Sequence, residues 1–354
     1  MRMACRLATR AAGRTSPNPI VGAVLVRGGK IIGAGYHRVA GGDHAEIAAL
    51  KEAGERAKGA TLYVTLEPCS HHGRTPPCAD ALIRAGVVKV VAAMADPNLR
   101  VAGGGFQKLQ RAGIEVRLGL MQTECRRMLE AFTKFITRGV PFVTLKLAAT
   151  LDGKIAGASG DSRWVSGERS RALVQRWRNE ADAVLVGAET IRRDDPQLTC
   201  RIRGGRNPFR VVLDGRLRIP LTAQVLKHKD AAKTIIATTP AASPARVRAL
   251  EERGARIWRL PANGRMVAWR PLLKRLAGED IVSVLIEGGA AVAASALKHG
   301  VVDKVAIFYA PKIIGGEGRV MIDSLALKKM ADAIQVKHLA VRKVGSDLLV
   351  SAYL

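Results

Sequence analysis

Five cysteines in 354 residues are too few for a disulfide framework, and that scarcity points to a reducing, cytoplasmic setting. Aromatic residues make up only 4%, which argues against a nucleic-acid binder, where basic clusters are interleaved with stacking rings. No run approaches the ~20 uninterrupted apolar residues that a membrane helix needs, so no membrane partner is expected. Repeats and low-complexity segments are absent too. The first 42 positions hold no Asp or Glu and several Arg, a bias resembling an organellar transit peptide. Helix, turn and hairpin signals begin there almost at once, however, and the segment reads as folded.

Apolar residues at 48% suffice for packed cores, and the length suits two domains. The formal charge of +27 is spread over the chain: Lys and Arg against Asp and Glu number 21 to 10 in residues 1–139 and 36 to 20 in 140–354. Neither half carries a concentrated basic arm. Phosphorylated small molecules, which call for a few well-placed cations, suit this distribution better than nucleic acid, and the rest is solvated surface.

Met1 to Ala12 reads as a helix stopped by Gly13, and Ser16-Pro17-Asn18-Pro19 as a rigid turn. The apolar runs Ile20–Val26 and Lys30–Ala34 flank two glycines, a hairpin signal. A helix opens at Asp43 or His44, Thr61–Glu67 is a strand, and Pro77–Ala85 is the next helix. Val87–Met94, a helix from Phe106 and Ile114–Leu118 extend the alternation, and a helix over Met121–Thr137 ends at Arg138-Gly139-Val140-Pro141. That Gly/Pro break sets the expected boundary between residues 1–139 and 140–354. Beyond it, strands are expected at Phe142–Ala148, Asp182–Gly187, Arg210–Asp214, Thr234–Thr238, Ile281–Ile286 and Lys304–Tyr309. Helices at Glu168–Asn179, Pro244–Gly254 and Ala290–His299 separate several of them, and Leu348–Leu354 is expected to close an edge. Such alternation predicts α/β architecture with a largely parallel sheet.

The chemistry-bearing pattern is His44-Ala45-Glu46, then Pro68-Cys69, then Cys78 nine positions later. One imidazole and two thiolates can hold Zn²⁺ and leave its fourth position to water, with the nearby glutamate free to carry protons. His44 and Cys78 fall at predicted helix starts, whose positive dipole ends favour thiolates. A closed structural site would need a fourth ligand, for which His71 and His72 are at hand. The loop between the cysteines is enlarged and polar and contains His and Arg, which suits an anionic group on the substrate.

The runs Pro17-Asn18-Pro19-x-Val21-Gly22, His44-Ala45-Glu46 and Thr65-Leu66-Glu67-Pro68-Cys69-Ser70-His71-His72-Gly73-Arg74-Thr75-Pro76-Pro77-Cys78 resemble the bacterial bifunctional riboflavin-biosynthesis deaminase/reductase family. The likeness implies an N-terminal cytidine-deaminase-like α/β/α domain that removes an amine from a diaminopyrimidinone ribosyl phosphate. By motif, His44, Cys69 and Cys78 would be the zinc ligands and Glu46 the proton shuttle. Asn18 would touch the pyrimidine, and His71 and Arg74 would lie near the phosphate.

Residues 140–354 offer no zinc set and no nucleophile motif. Val284 to Ala290 reads as strand, glycine pair and helix start, a place where backbone can approach phosphate, although such pairs are commonly just tight connections. The Gly-x-Gly-x-x-Gly fingerprint is absent. Here Lys146-Leu147-Ala148-x-x-Leu151-Asp152-Gly153, Gly187-x-x-Thr190-x-x-x-Asp194-Asp195-Pro196-x-Leu198-Thr199 and Glu287-Gly288-Gly289 are similar to the same family's reductase domain. That domain is dihydrofolate-reductase-like and uses NADPH to reduce the ribosyl group to ribityl. By position, Ala148, Trp164, Thr190, Asp194 and the segment Gly289, Ala290, Ala291, Val292, Ala293, Ala294 and Ser295 would meet the nicotinamide cofactor. Ser162, Arg178, Leu198, Arg201 and Glu287 would meet substrate, with Arg178 and Arg201 as phosphate clamps and Lys146 near the reacting sugar. Gly187-Ala188-Glu189 departs from the family's small polar run, leaving cofactor contacts there open. The likeness also implies a homo-oligomer. Two other readings stand beside it: a nucleic-acid-editing deaminase with a basic accessory domain, and a zinc-stabilised binding protein without catalysis.

Overall fold

Alternation along one strand organises the first half of the chain. In a computed structural model describing residues 1–70, 76–99, 101–227 and 230–354, β1 (Gly22–Arg27) turns Val24 toward Ala4 and Leu7 of α1 (Arg2–Thr9). Its neighbours Ala23 and Leu25 pack with Ala45 and Ala49 of a later helix. Successive strand residues point to opposite faces, so the two helices cover opposite sides of the sheet. The Gly28-Gly29 pair, at φ of 55° and 74°, turns β1 into antiparallel β2 (Lys30–Tyr36), with Arg27 opposite Lys30.

The second helix, α2 (Ala45–Ala53), is built to sit close. Its buried stripe is Ala45, Ala49 and Ala53, and β2 presents Gly33 and Gly35 beneath it. A Cβ on Gly35 would lie 2.5 Å from the Ala45 carbonyl, and one on Gly33 would strike the Ala49 carbonyl. Small residues on both partners therefore bring the helix N-terminus down onto the sheet. The unit continues through β3 (Thr61–Val64), α3 (Cys78–Arg84), β4 (Lys89–Ala92), α4 (Gly104–Arg111), β5 (Glu115–Leu118), α5 (Gln122–Met128) and α6 (Glu130–Arg138). The sheet order is β2-β1-β3-β4-β5, with the last three strands parallel. Leu25, Leu62, Leu82, Leu109 and Leu129 are fully buried at its centre. Leu129 also splits the single helix expected over 121–137: it ends α5 and starts α6 at φ −103°, ψ 13°, holding its side chain in the core.

Met1–Val140 and Pro141–Leu354 form two compact units. The second begins with β6 (Phe142–Thr150), β7 (Lys154–Ala156), α7 (Glu168–Glu180), β8 (Ala183–Gly187), α8 (Ala188–Asp194) and β9 (Phe209–Leu213). It continues through β10 (Thr234–Thr238), α9 (Pro244–Glu251), β11 (Arg256–Arg259), β12 (Ala262–Asn263), β13 (Met266–Val267), α10 (Trp269–Ala277) and β14 (Ser283–Ile286). It closes with α11 (Ala290–Lys298), β15 (Lys304–Ala310), β16 (Arg319–Val320), β17 (Lys337–Val344) and β18 (Asp347–Tyr353). Nine strands make one sheet, ordered β11-β10-β9-β8-β14-β6-β15-β18-β17. Its first seven strands run parallel, and β18 runs antiparallel to both of its neighbours, β15 and β17.

The edge differs from the sequence expectation. The C-terminal strand lies inside, between β15 and β17, because Gly345 at φ 64° turns β17 back onto it. Nearly all of β17 is exposed, so no burial alternation marks it in the sequence. No helix among the described residues is long and apolar enough to cross a membrane.

Candidate functional sites

Three elements of the first unit deliver one cluster. His44 is the residue before α2, Cys69 follows β3, and Cys78 opens α3. His44 Nδ1 stands 3.2 Å from Cys78 Sγ and 3.7 Å from Cys69 Sγ, and the three donor atoms lie within 4.8 Å of one another. Cys78 backbone N–H donates to Cys69 Sγ at 3.2 Å. A hydrogen bond from the Cys78 side-chain thiol is the main cause that lowers the Cys69 pKa to about 4, against burial, with His44 and the Cys78 backbone N–H adding to it. The same bond, then burial, pushes the Cys78 thiol up. The His44 value is raised, first by its hydrogen bond to Cys69. One thiolate beside a second thiol and an imidazole is a donor set whose chemistry and spacing fit Zn²⁺. No fourth protein donor joins the cluster among the described residues. His71, Arg74 and the neighbouring His72 lie outside those residues.

Glu46 sits beside the cluster, 3% exposed. Burial is the main cause that raises its carboxyl to about 7, with the Cys69 charge adding and His44 opposing. A cavity of about 350 Å³ opens here, lined among others by Asn18, His37, His44, Glu46 and Cys69. Its lining also includes Asp96, Asn98 and Val101.

His37 carries no motif, yet it organises this cavity. Its Nδ1 is 3.0 Å from the Asp43 carbonyl, which can only accept, so Nδ1 bears the proton. Its Nε2 then accepts from the Asn18 amide nitrogen at 3.3 Å. Burial lowers the His37 pKa, in keeping with a neutral ring. The Asn18 amide is thereby oriented, with its oxygen as the acceptor end.

The second unit encloses about 780 Å³. Lys146 and Ala148 on β6, Ser162, Trp164, Arg178, Thr190, Asp194, Arg201, Glu287 and Gly289 to Val292 all line it. Ala293 and Ala294 are buried inside α11 instead, and Ser295 Oγ accepts the Trp269 indole N–H at 2.9 Å. Those three pack the helix rather than the cavity wall, because a helix shows only one face. Leu198, 1% exposed, lies in the core and not in the lining.

Arg178 also departs from expectation. Its Nε and Nη2 donate to the two oxygens of Glu287 at 2.6 and 2.8 Å, and its Nη1 to the Thr199 carbonyl at 3.1 Å. A guanidinium so committed is a structural partner of Glu287 and is not poised as a phosphate clamp. Burial works to raise the Glu287 pKa, but Arg178 and then Lys146 hold it below the ordinary value. Burial lowers the Lys146 pKa. Arg201 lines the cavity and adds to the field on Glu287.

Cofactor-sized space meets backbone here. Gly288, at φ 128°, carries the chain from β14 to α11, and Gly289 N–H donates to Thr190 Oγ1 at 3.4 Å. Trp164 is 59% exposed, with the Arg171 guanidinium 4.6 Å from its ring centre. A cavity of this volume, with a helix start, a glycine pair and an open aromatic face, fits a dinucleotide. Asp152, of the first reductase-like motif, accepts from the Ile314 and Gly315 N–H groups and the Thr150 hydroxyl.

Comparison with known proteins agrees with both sites. Residues 1–94 match the family described as the cytidine and deoxycytidylate deaminase zinc-binding region, and residues 141–350 match the RibD C-terminal domain. The riboflavin biosynthesis protein RibD of Aquifex aeolicus is 44% identical over 99% of this chain and 96% of its own length. A solved structure of Acinetobacter baumannii RibD superposes with a TM-score of 0.89 at 40% identity, covering 99% of this chain and 97% of that one. A Thermotoga maritima structure, described as a diaminohydroxyphosphoribosylaminopyrimidine deaminase/5-amino-6-(5-phosphoribosylamino)uracil reductase, gives a TM-score of 0.87 at 39% identity, covering 100% and 97%. With a zinc-binding deaminase domain ahead of a reductase domain along its whole length, the chain belongs to the RibD family of bifunctional riboflavin-biosynthesis enzymes.

Proposed function

We propose that residues 1–139 deaminate 2,5-diamino-6-(ribosylamino)pyrimidin-4-one 5′-phosphate and that residues 140–354 reduce the ribosyl group of the product to ribityl. The observation that carries the first step is the convergence of His44, Cys69 and Cys78 within 4.8 Å beside the buried Glu46. When bound by these three, Zn²⁺ supplies the Lewis acidity that makes water a nucleophile near neutral pH. Glu46 takes the proton of the attacking water and returns one to the departing nitrogen. The balance is one water consumed and one ammonia released, with C–NH₂ becoming C=O. Asn18, oriented by His37, receives an N–H of the pyrimidine on its amide oxygen. His71 and Arg74 are assigned to the phosphate by motif.

In the second unit, NADPH, when bound, would supply a hydride to C1′ of the opened, imine-like sugar, a proton from solvent would complete the amine, and NADP⁺ would be released. Trp164, Thr190, Asp194, Ala148 and Gly289 to Val292, which line the cavity, would hold the cofactor. Lys146 and the Glu287–Arg178 pair face the sugar, with Ser162 and Arg201 on its polar groups. Substrate is thus a small phosphorylated pyrimidine, not nucleic acid, which suits the dispersed basic charge. Five cysteines without a disulfide suit a cytoplasmic enzyme. A homo-oligomer is supported by exposed apolar side chains over 327–341, among them Met330 and Leu339.

The test is Glu46→Gln. Ammonia release should fall by about 10²–10⁴-fold, while NADPH oxidation with the deaminated substrate proceeds as in the parent. Normal ammonia release by that variant would remove Glu46 from its role.

A further inference from the structure

Glu67 stands two residues before a metal ligand, is 6% exposed, and among the described residues makes no hydrogen bond to the metal donors or to Glu46. Its carboxylate is nonetheless among the most heavily bonded in the unit. Oε2 accepts from Asp96 N–H at 3.1 Å and Gly103 N–H at 3.0 Å. Oε1 accepts from Gly105 N–H at 2.9 Å and Phe106 N–H at 3.3 Å.

Three of those donors are the opening of α4. A helix start leaves its first N–H groups without intrahelical partners, and Gly103, the residue before α4, has no side chain to cap them. A carboxylate from a distant strand end does so instead, where the helix dipole favours negative charge. The fourth donor, Asp96, begins the wall that faces the first cavity, with Asn98 and Val101. Asp96 Oδ1 in turn accepts the Asn98 N–H at 2.8 Å, and the Asn98 carbonyl accepts from Val101 at 2.9 Å.

The glycines make this contact feasible. A Cβ on Gly105 would run into the Pro68 carbonyl, and one on Gly104 would lie 2.8 Å from Ser70 Oγ. The helix start is thereby pressed against the strand end and loop that carry Cys69.

We propose that Glu67 is a positioning residue for deamination: it locks the Asp96–Asn98–Val101 wall to the Cys69 loop and so sets the grip on the pyrimidine. The inference rests on the deaminase reading of this cavity. Glu67 takes no part in the bond changes; its work is to fix the Asp96–Asn98–Val101 lining relative to the Cys69 loop.

The full-length Glu67→Gln variant tests this. One carboxylate oxygen becomes an NH₂ that opposes two backbone N–H donors, a loss that weakens substrate binding by about tenfold or more. Expected are a KM for ammonia release raised by that factor with kcat within about threefold, zinc at the parental stoichiometry, and faster hydrogen exchange at Gly103 and Gly105. NADPH oxidation on deaminated substrate should not change. A parental KM would overturn the proposal. Should the variant lose zinc, Gly105→Ala decides, since its Cβ runs into the backbone carbonyl of Pro68 in the same seam: a raised KM with full zinc upholds the proposal, and a parental KM overturns it. A parent enzyme that released no ammonia would overturn the reading of the cavity itself.

Discussion

Arg178 and Glu287 meet as a two-pronged pair, 2.6 and 2.8 Å apart, with both side chains largely buried and Lys146, its pKa lowered by burial, acting on Glu287 as well. Removing one partner of such a pair strands the other in a medium that solvates it poorly. Arg178→Ala should cost the second unit about 3–5 kcal/mol and abolish NADPH oxidation. Urea denaturation followed by circular dichroism, with ammonia release as the internal control, would check this. Parental stability would show that the pair is dispensable.

The metal centre predicts a clean separation of the two activities. Cys78→Ala removes a donor that no described residue can replace, so bound zinc should fall from one per chain to near zero on metal analysis. Ammonia release should vanish with it, while NADPH oxidation on deaminated substrate continues. Full zinc occupancy in that variant would contradict the ligand assignment.

Gly35 makes a third test, because it acts on the histidine ligand from beneath. A Cβ there would lie 2.5 Å from the Ala45 carbonyl and 2.6 Å from the Ala48 side chain. Gly35→Val should therefore lift α2 and His44, costing about 1–3 kcal/mol and lowering zinc affinity. Competition with a chromophoric chelator measures the second effect. Unaltered affinity would mean that the helix start is fixed by other contacts.

Asp152 gives a pH-dependent outcome. Its carboxyl pKa is lowered from 3.8 to about 2, first by the Thr150 hydroxyl and then by the Gly315 N–H. A folded value below the unfolded one stabilises fully above about pH 4, and that contribution disappears as pH falls through about 2. Asp152→Asn should lower the melting temperature slightly at neutral pH, with the difference from the parent shrinking below pH 4. A difference that grew in acid would refute the assignment.

The metal centre was legible in the sequence because ligation dictates residue type and tolerates few spacings; His44, Cys69, Cys78 and Glu46 follow from that alone. The strands of the second sheet were legible because buried parallel strands read as apolar runs, as Asp182–Gly187 does. What escaped depends on partners distant in sequence or on backbone atoms. Arg178 and Glu287 are 109 positions apart, so their pairing has no local signature. His37 acts through a carbonyl and an amide, and Glu67 through the N–H groups of residues with little or no side chain. The glycine run 103–105 was the one visible clue to that seam. β17 was missed because exposure on both faces erases the two-residue period.

Trp164 stands open at the second cavity, whereas Trp258 and Trp269 are buried, and Trp177 rests on Phe308 with ring centres 5.4 Å apart. No tryptophan occurs before position 164. Tryptophan emission from this chain therefore arises entirely from residues of the second unit and is weighted, in its solvent-sensitive part, toward one indole lining that unit's cavity. On the proposed reading of that cavity, the chain carries its own optical probe for dinucleotide occupancy.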